Sequence, residues 1–274
     1  EENLSEKIIL KEGLISRREA IQNIHLPESE GMISVAKNRL KFEELFFLQL
    51  QILQLKTSRL KAFPGYVFKK NKLLNKFYKK HLPFNLTGAQ KKVIKECYEN
   101  MCSGKQMNRL VQGDVGSGKT IVAFMCMLFA IEDKSQVAFM APTEVLADQH
   151  FKSILNQAEK MNIKVSLLTG STKEKDRKVL FKKLKNGDIN ILIGTHALIE
   201  NRVQFHRLGL VIIDEQHKFG VAQRAKLWSK KEELYPHVLV MTATPIPRTL
   251  ALTLYGDLDV SVIDELPLGR KKII

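Results

Sequence analysis

Gly113-Asp114-Val115-Gly116-Ser117-Gly118-Lys119-Thr120 lies between a short apolar run, Leu110-Val111, and a helix-like segment from Ile121 to Ile131. Strand, Gly-rich loop and helix in that order form the context a phosphate-binding loop needs. The G-x-x-x-x-G-K-T spacing lets backbone N–H groups wrap a β-phosphate, brings the Lys119 ammonium near the β and γ oxygens, and offers the Thr120 hydroxyl to Mg²⁺. Gly113, Val115, Gly116, Ser117, Gly118, Lys119 and Thr120 are therefore candidate nucleotide-binding residues. The expected ligand is a nucleoside triphosphate.

Further along, Leu208-Gly209-Leu210-Val211-Ile212-Ile213 reads as a buried strand that ends in Asp214-Glu215-Gln216-His217. In an open parallel sheet, ligands sit beyond the carboxyl ends of the strands, so these acids are expected to face the same crevice as Lys119. Asp214 then suits Mg²⁺, and Glu215 suits the task of polarising an attacking water. Apolar runs at Arg109-Gln112, Val137-Met140, Val165-Leu168, Ile189-Ile193, Leu210-Ile213 and Val238-Met241 alternate with helical or mixed segments. That alternation predicts βαβ units and a mostly parallel sheet in a three-layer α/β lobe.

The quartet Asp214-Glu215-Gln216-His217 resembles motif II of superfamily 2 helicases and translocases, with His217 as its fourth member. Ala141-Pro142-Thr143-Glu144 resembles motif Ia. Thr169-Gly170 and Gly194-Thr195-His196 resemble the neighbouring DNA-side motifs, and Thr242-Ala243-Thr244 resembles motif III. The longer stretches Asp214 to Val221, Met241 to Leu250 and Tyr255 to Pro267 are similar to the RecG family of branched-DNA helicases, as are Arg39 to Leu45 and Leu82 to Thr87 upstream. Lys218 and Leu268 depart from the family pattern, which has arginine and proline there.

The resemblance implies a RecA-like P-loop lobe that uses ATP and Mg²⁺. Lys119, Asp214, Glu215 and His217 would be its catalytic set. Thr143, Thr169, Gly170, Thr195 and His196 would be its DNA contacts, and Thr242 and Thr244 would couple nucleotide state to the DNA track. By analogy with the Q motif of such motors, Gln90 would read the adenine edge and Phe84 would stack on the ring. It also implies a second motor lobe and a wedge domain whose motifs are missing here. The expectation is a fragment: a helical connecting region over 1–82 and the first motor lobe over 83–274, not active alone. In the whole protein the partner would be branched duplex DNA. Two alternatives stay open: a related superfamily 2 motor such as the transcription-repair coupling translocase, and a nucleic-acid-binding module with a regulatory ATP site.

From the residues alone, each candidate threonine is also a possible helix cap or turn residue. Gln90 also suits an exposed helix position, Phe84 a core position, and His196 local hydrogen bonding. A helix is predicted after Ser16 and a longer one from about Ser34 to Lys61, ended by Pro64-Gly65. The long one carries Phe42, Leu45, Phe46, Leu48, Ile52, Leu53 and Leu55, a core or packing face. Lys56 to His81 carries nine Lys or Arg and no acid, interleaved with Phe63, Tyr66, Phe68, Phe77 and Tyr78. Such a run suits a phosphate backbone, and equally a solvated face whose aromatics pack inward. Lys173 to Lys185 reads as a plain basic surface helix.

A chain of 274 residues with 44% apolar content can bury one large α/β core and an appendage. Net charge of +15 beside a phosphate loop favours a nucleic acid over a membrane surface as partner. Cys97, Cys102 and Cys126 show no metal-site spacing and cannot all pair, so a reducing cytoplasm is expected. No leader or membrane-spanning run is apparent in the sequence.

Overall fold

The computed structural model describes residues 1–215, 234–244 and 258–265. His217, Lys218 and Leu268 lie outside these residues. The described chain forms two compact units, one within 1–58 and one from residue 59 onward.

The first unit holds α1 (Glu6–Lys11), α2 (Arg17–His25) and most of α3 (Glu30–Ala62). The predicted helix after Ser16 is set by a reciprocal cap. Glu19 N donates to Ser16 Oγ at 3.2 Å, and Ser16 N donates to Glu19 Oε2 at 3.0 Å. Arg39, whose side chain is fully buried, organises the unit by pairing with Glu2 at 2.6 Å and Glu43 at 2.7 Å, and by donating to Ile15 O. Leu45 and Leu53 on α3 are each 57% exposed, so the apolar set predicted there is only partly covered.

The second unit is built on a sheet of β1 (Asn108–Gly113), β2 (Gln136–Met140), β3 (Val165–Leu168), β4 (Ile191–Gly194), β5 (Leu208–Asp214), β6 (His237–Thr242) and β7 (Asp259–Ile263). The strands run in the order β3-β4-β2-β5-β6-β1-β7, and every pairing among them is parallel. A parallel sheet is covered on both faces, which explains why β2, β5 and β6 are buried at every position and read as continuous apolar runs. The flanking helices are α4 (Lys72–Lys80), α5 (Gly88–Cys102), α6 (Lys119–Glu132), α7 (Glu144–Glu159) and α8 (Glu174–Lys185). The result is the three-layer RecA-like lobe that the motif order predicts.

In α6 every residue from Val122 to Ala130 is buried, because the helix lies between the sheet and α4 and α5. Phe77 of α4 meets Phe124 of α6 edge to face at 5.0 Å, and Tyr98 of α5 meets Phe129 at 4.8 Å. The aromatics of the basic segment thus pack inward: Tyr66, Phe68 and Phe77 belong to the lobe core, while Lys69, Lys70, Lys72, Lys76, Lys79 and Lys80 face solvent. One strand escaped the sequence reading. β7 adds to the far side of β1, with Ser261 beside Val111.

A buried histidine ties the base of this sheet to the preceding segment. His237, fully buried at the start of β6, accepts from Met107 N through Nδ1 at 2.9 Å and donates from Nε2 to Tyr66 O at 2.8 Å. Accepting at Nδ1 while donating from Nε2 requires the neutral ring. Burial pushes its pKa down to about 4, against a smaller upward pull from the Tyr66 carbonyl. The unfolded chain therefore takes up the proton first, near the ordinary value of 6.5. Stability from this group is complete above that pH and is lost as the pH falls toward 4, by about 3 kcal/mol. Urea unfolding midpoints across that range should show this loss in the wild type and not in His237→Gln.

Candidate nucleotide and DNA-side site

All seven strands point the same way, so their carboxyl ends form a single edge, and the candidate residues divide along it. The loop after β1 and the ends of β5 and β6 hold the nucleotide candidates. The ends of β2, β3 and β4 hold the DNA-side candidates.

The loop after β1 has the backbone an anion cradle needs. Gly116 and Gly118 take φ of 79° and 88°, the left-handed region that glycine enters without strain. A Cβ at Gly118 would overlap Gln90 Nε2, and one at Gly113 would come within 2.6 Å of Ser117 Oγ. Ser117 is buried and its Oγ has no hydrogen-bond partner, a polar group aimed into the loop. Lys119 opens α6, and its Nζ folds back to donate to Gly113 O at 2.6 Å and Asp114 O at 2.9 Å. Burial lowers its pKa, while Asp214, Glu215 and Asp114 act to keep it charged. Val115, between Asp114 and Gly116 in the loop, is 73% exposed.

Gln90 is buried, not solvent-facing. Its Oε1 accepts from Thr87 N at 3.0 Å in a capping box that starts α5, and its Nε2 donates to Ser117 O at 2.8 Å. The side chain thus fastens α5 to the phosphate loop. It also borders a cavity of about 550 Å³ that Phe84, Gly116, Gly118, Thr120 and Gln157 line as well. Phe84 is 47% exposed there, so it is a rim residue and not a core one.

At the end of β5, Asp214 is nearly buried and Oδ2 accepts from His150 Nε2 of α7 at 2.7 Å. Thr120 and Asp214 supply hard oxygen donors, the set that suits Mg²⁺ when phosphate oxygens and water complete its shell. Glu215 adopts φ of 50°, unusual for a residue with a side chain. Its N donates to Met241 O at 3.0 Å, and its Oε1 accepts from Ala243 N at 3.2 Å. The ends of β5 and β6 are thereby joined. Thr242 and Thr244 hydroxyls lie 2.8 Å apart, and Thr244 N donates to Thr242 Oγ1 at 3.2 Å.

Among the DNA-side candidates, Thr143 caps α7 by accepting from Leu146 N at 3.3 Å and is exposed. Thr169 is buried, with its hydroxyl turned into its own loop at 2.9 Å from Ser171 Oγ. Gly170 and His196 are exposed, and Thr195 is buried with an unpartnered Oγ1. Two residues to which the sequence reading gave no role of their own, Glu144 and Arg177, hold these pieces together. Glu144 Oε1 accepts from Ser171 N at 3.1 Å, tying α7 to the 169–172 loop. Arg177 is buried, donates to Thr169 O at 2.8 Å and to Thr172 O at 3.0 Å, and pairs with Glu200 at 3.0 Å.

A phosphate-binding loop after β1, with acids at the end of β5 across the intervening β6, defines a nucleotide-using P-loop lobe. The chain belongs to the DEAD/DEAH box helicase family, whose model matches residues 87–253. It is 49% identical over 270 residues to the ATP-dependent DNA helicase RecG of Synechocystis sp., a match that covers 98% of this chain and 32% of that protein. RecG of Streptococcus pneumoniae is 47% identical over 274 residues, covering 100% of this chain and 40% of the relative. A solved structure of RecG bound to a three-way DNA junction superposes with a TM-score of 0.84 at 43% identity, covering all of this chain and 36% of that one. The chain thus spans about a third to two-fifths of the length of the RecG proteins it matches.

Proposed function

We propose that this chain is the first motor lobe of an ATP-dependent DNA helicase or translocase that acts on branched DNA, completed by a second motor lobe and a wedge domain. The observation that carries this reading is the division of the strand-end edge into a phosphate loop with paired acids and a neighbouring set of helix-cap and loop donors. The likeness to RecG relatives supplies the substrate class.

In this reading the amides of Gly116 to Lys119 cradle the β-phosphate, and the Lys119 ammonium leaves its loop carbonyls for the β and γ oxygens. Thr120 and Asp214 hold Mg²⁺, which neutralises developing phosphate charge when bound. Glu215 orients water and takes its proton. Phe84 and Gln90 face the base. Once nucleotide is turned over, the Glu215 contact with Ala243 is the route by which Thr242 and Thr244 sense it. Thr143, Gly170, Thr195 and His196 meet the DNA backbone without reading bases. His217 keeps the role its motif implies. Cys97, Cys102 and Cys126 are free thiols, in keeping with a cytoplasmic setting. Among the described residues, no helix is long and apolar enough to cross a membrane.

The test is ATP binding and steady-state hydrolysis, with and without a three-way junction, by this chain and by a protein joining it to the segments its RecG relatives carry. The chain alone should bind ATP without turnover, and the joined protein should hydrolyse it faster with the junction present. Absent binding, or turnover indifferent to DNA, would overturn the reading.

A further inference from the structure

His150 stands apart from every motif that the sequence quotes. It lies in the second turn of α7, seven residues beyond the N-cap Thr143. Its spacing with Ala147, Ile154 and Ala158 puts it on the stripe that α7 buries, where a polar side chain needs a partner. That partner is Asp214 Oδ2 at 2.7 Å, from a strand 64 residues later, and the two side chains are 13% and 11% exposed. A carboxylate only accepts, so the ring donates through Nε2. The ring's face is held in turn by Phe139 of β2, with centroids 4.7 Å apart.

Resting on the nucleotide reading above, we propose that His150 is a positioning residue for the metal-binding carboxylate of Asp214. Its Nε2–H takes one carboxylate oxygen, fixes the side-chain rotamer, and leaves the other oxygen for Mg²⁺. Outer-shell partners of this type orient metal ligands, and losing one commonly costs about 10- to 100-fold in metal affinity. Because the donor rides on α7, the carboxylate is also tied to the helix whose exposed end belongs to the DNA side.

The experiment is titration of this chain with a fluorescent ATP analogue in Mg²⁺ and in EDTA, for the wild type, His150→Ala and His150→Gln, with thermal midpoints recorded for each. The readout is the ratio of the two affinities, which a general loss of structure does not move selectively. His150→Ala should lose about 10- to 100-fold of the Mg²⁺-dependent gain while its affinity in EDTA stays at the wild-type value. His150→Gln should keep most of the gain, since its amide nitrogen reaches about as far and donates in the same way. An unchanged ratio in His150→Ala overturns the proposal. So does an equal loss in Ala and Gln, or a loss of affinity in EDTA as large as that in Mg²⁺. A wild type whose affinity ignores Mg²⁺ would instead overturn the nucleotide reading on which the proposal rests.

Discussion

Lys119→Ala should weaken ATP binding by about 10- to 150-fold while leaving the lobe folded. In the structure the Lys119 ammonium is half-buried and donates to two loop carbonyls, Gly113 O and Asp114 O. Burial weakens its hold on the proton, and Asp214, Glu215 and Asp114 oppose that. Such a cation sits poorly against neutral carbonyls and gains when phosphate oxygens arrive. Hydrogen bonds to charged groups contribute about 1.5–3 kcal/mol, which sets the range of the expected loss. The change removes no cap, because α6 starts on Gly118 without a side-chain cap. Lys119→Arg should recover little, since a planar fork does not fit where a compact ammonium does. Titration of the purified variants with ATP, beside a thermal melt, decides the matter. An affinity within twofold of the wild type would remove Lys119 from the site.

What the sequence made legible follows from how locally each feature is encoded. The phosphate loop declares itself because its glycines, lysine and threonine lie within eight consecutive positions and sit between two apolar elements. β2, β4, β5 and β6 were readable because a parallel sheet buries both faces and leaves near-continuous apolar runs, and β1 and β3 because short apolar stretches stand between helical segments. β7 was not, because Asp259-Val260-Ser261-Val262-Ile263 is short, carries an acid and a serine, and is paired through β1 on one side only among the described strands. Its Ser261 hydroxyl is explained only by distant partners, accepting from the Arg109 guanidinium of β1 and donating to the Glu96 carboxylate of α5.

The same limit governs the site. Gln90 could be placed beside the nucleotide by analogy, but its grip on Ser117 O depends on how α5 meets the phosphate loop 27 residues later. His150 and Arg177 look like ordinary residues of polar helices. A signal was nonetheless present: Arg177 shares spacing with Leu180, Phe181 and Leu184, just as His150 shares it with Ala147 and Ile154. A polar residue on a helix's apolar stripe is buried at a cost unless something bonds it, so it points to a partner without saying which. Read this way, the basic helix Lys173 to Lys185 is surface on one side only. Its buried arginine clamps the 169–172 loop.

Glu215→Gln is the substitution that separates binding from chemistry, and it should slow hydrolysis by about 10²- to 10⁴-fold while ATP affinity changes little. The position is built for one conformation. Its backbone φ of 50° costs on the order of 1 kcal/mol for a residue with a Cβ, and the bond from its N to Met241 O helps to hold it there. Glutamine keeps the same length and the same acceptor oxygen for Ala243 N, so the link between the ends of β5 and β6 survives. What it removes is the basic carboxylate that would take the proton from attacking water. Lys119 also loses one of the charges that favour its ammonium, but Asp214 and Asp114 remain. The measurement is single-turnover hydrolysis by the joined protein on a three-way junction, with ATP affinity determined on the same preparation. Retained turnover would assign the water to another group. Loss of binding together with turnover would mean that Glu215 supports the architecture of the site more than its chemistry, because then the Ala243 contact would depend on the charge that glutamine lacks.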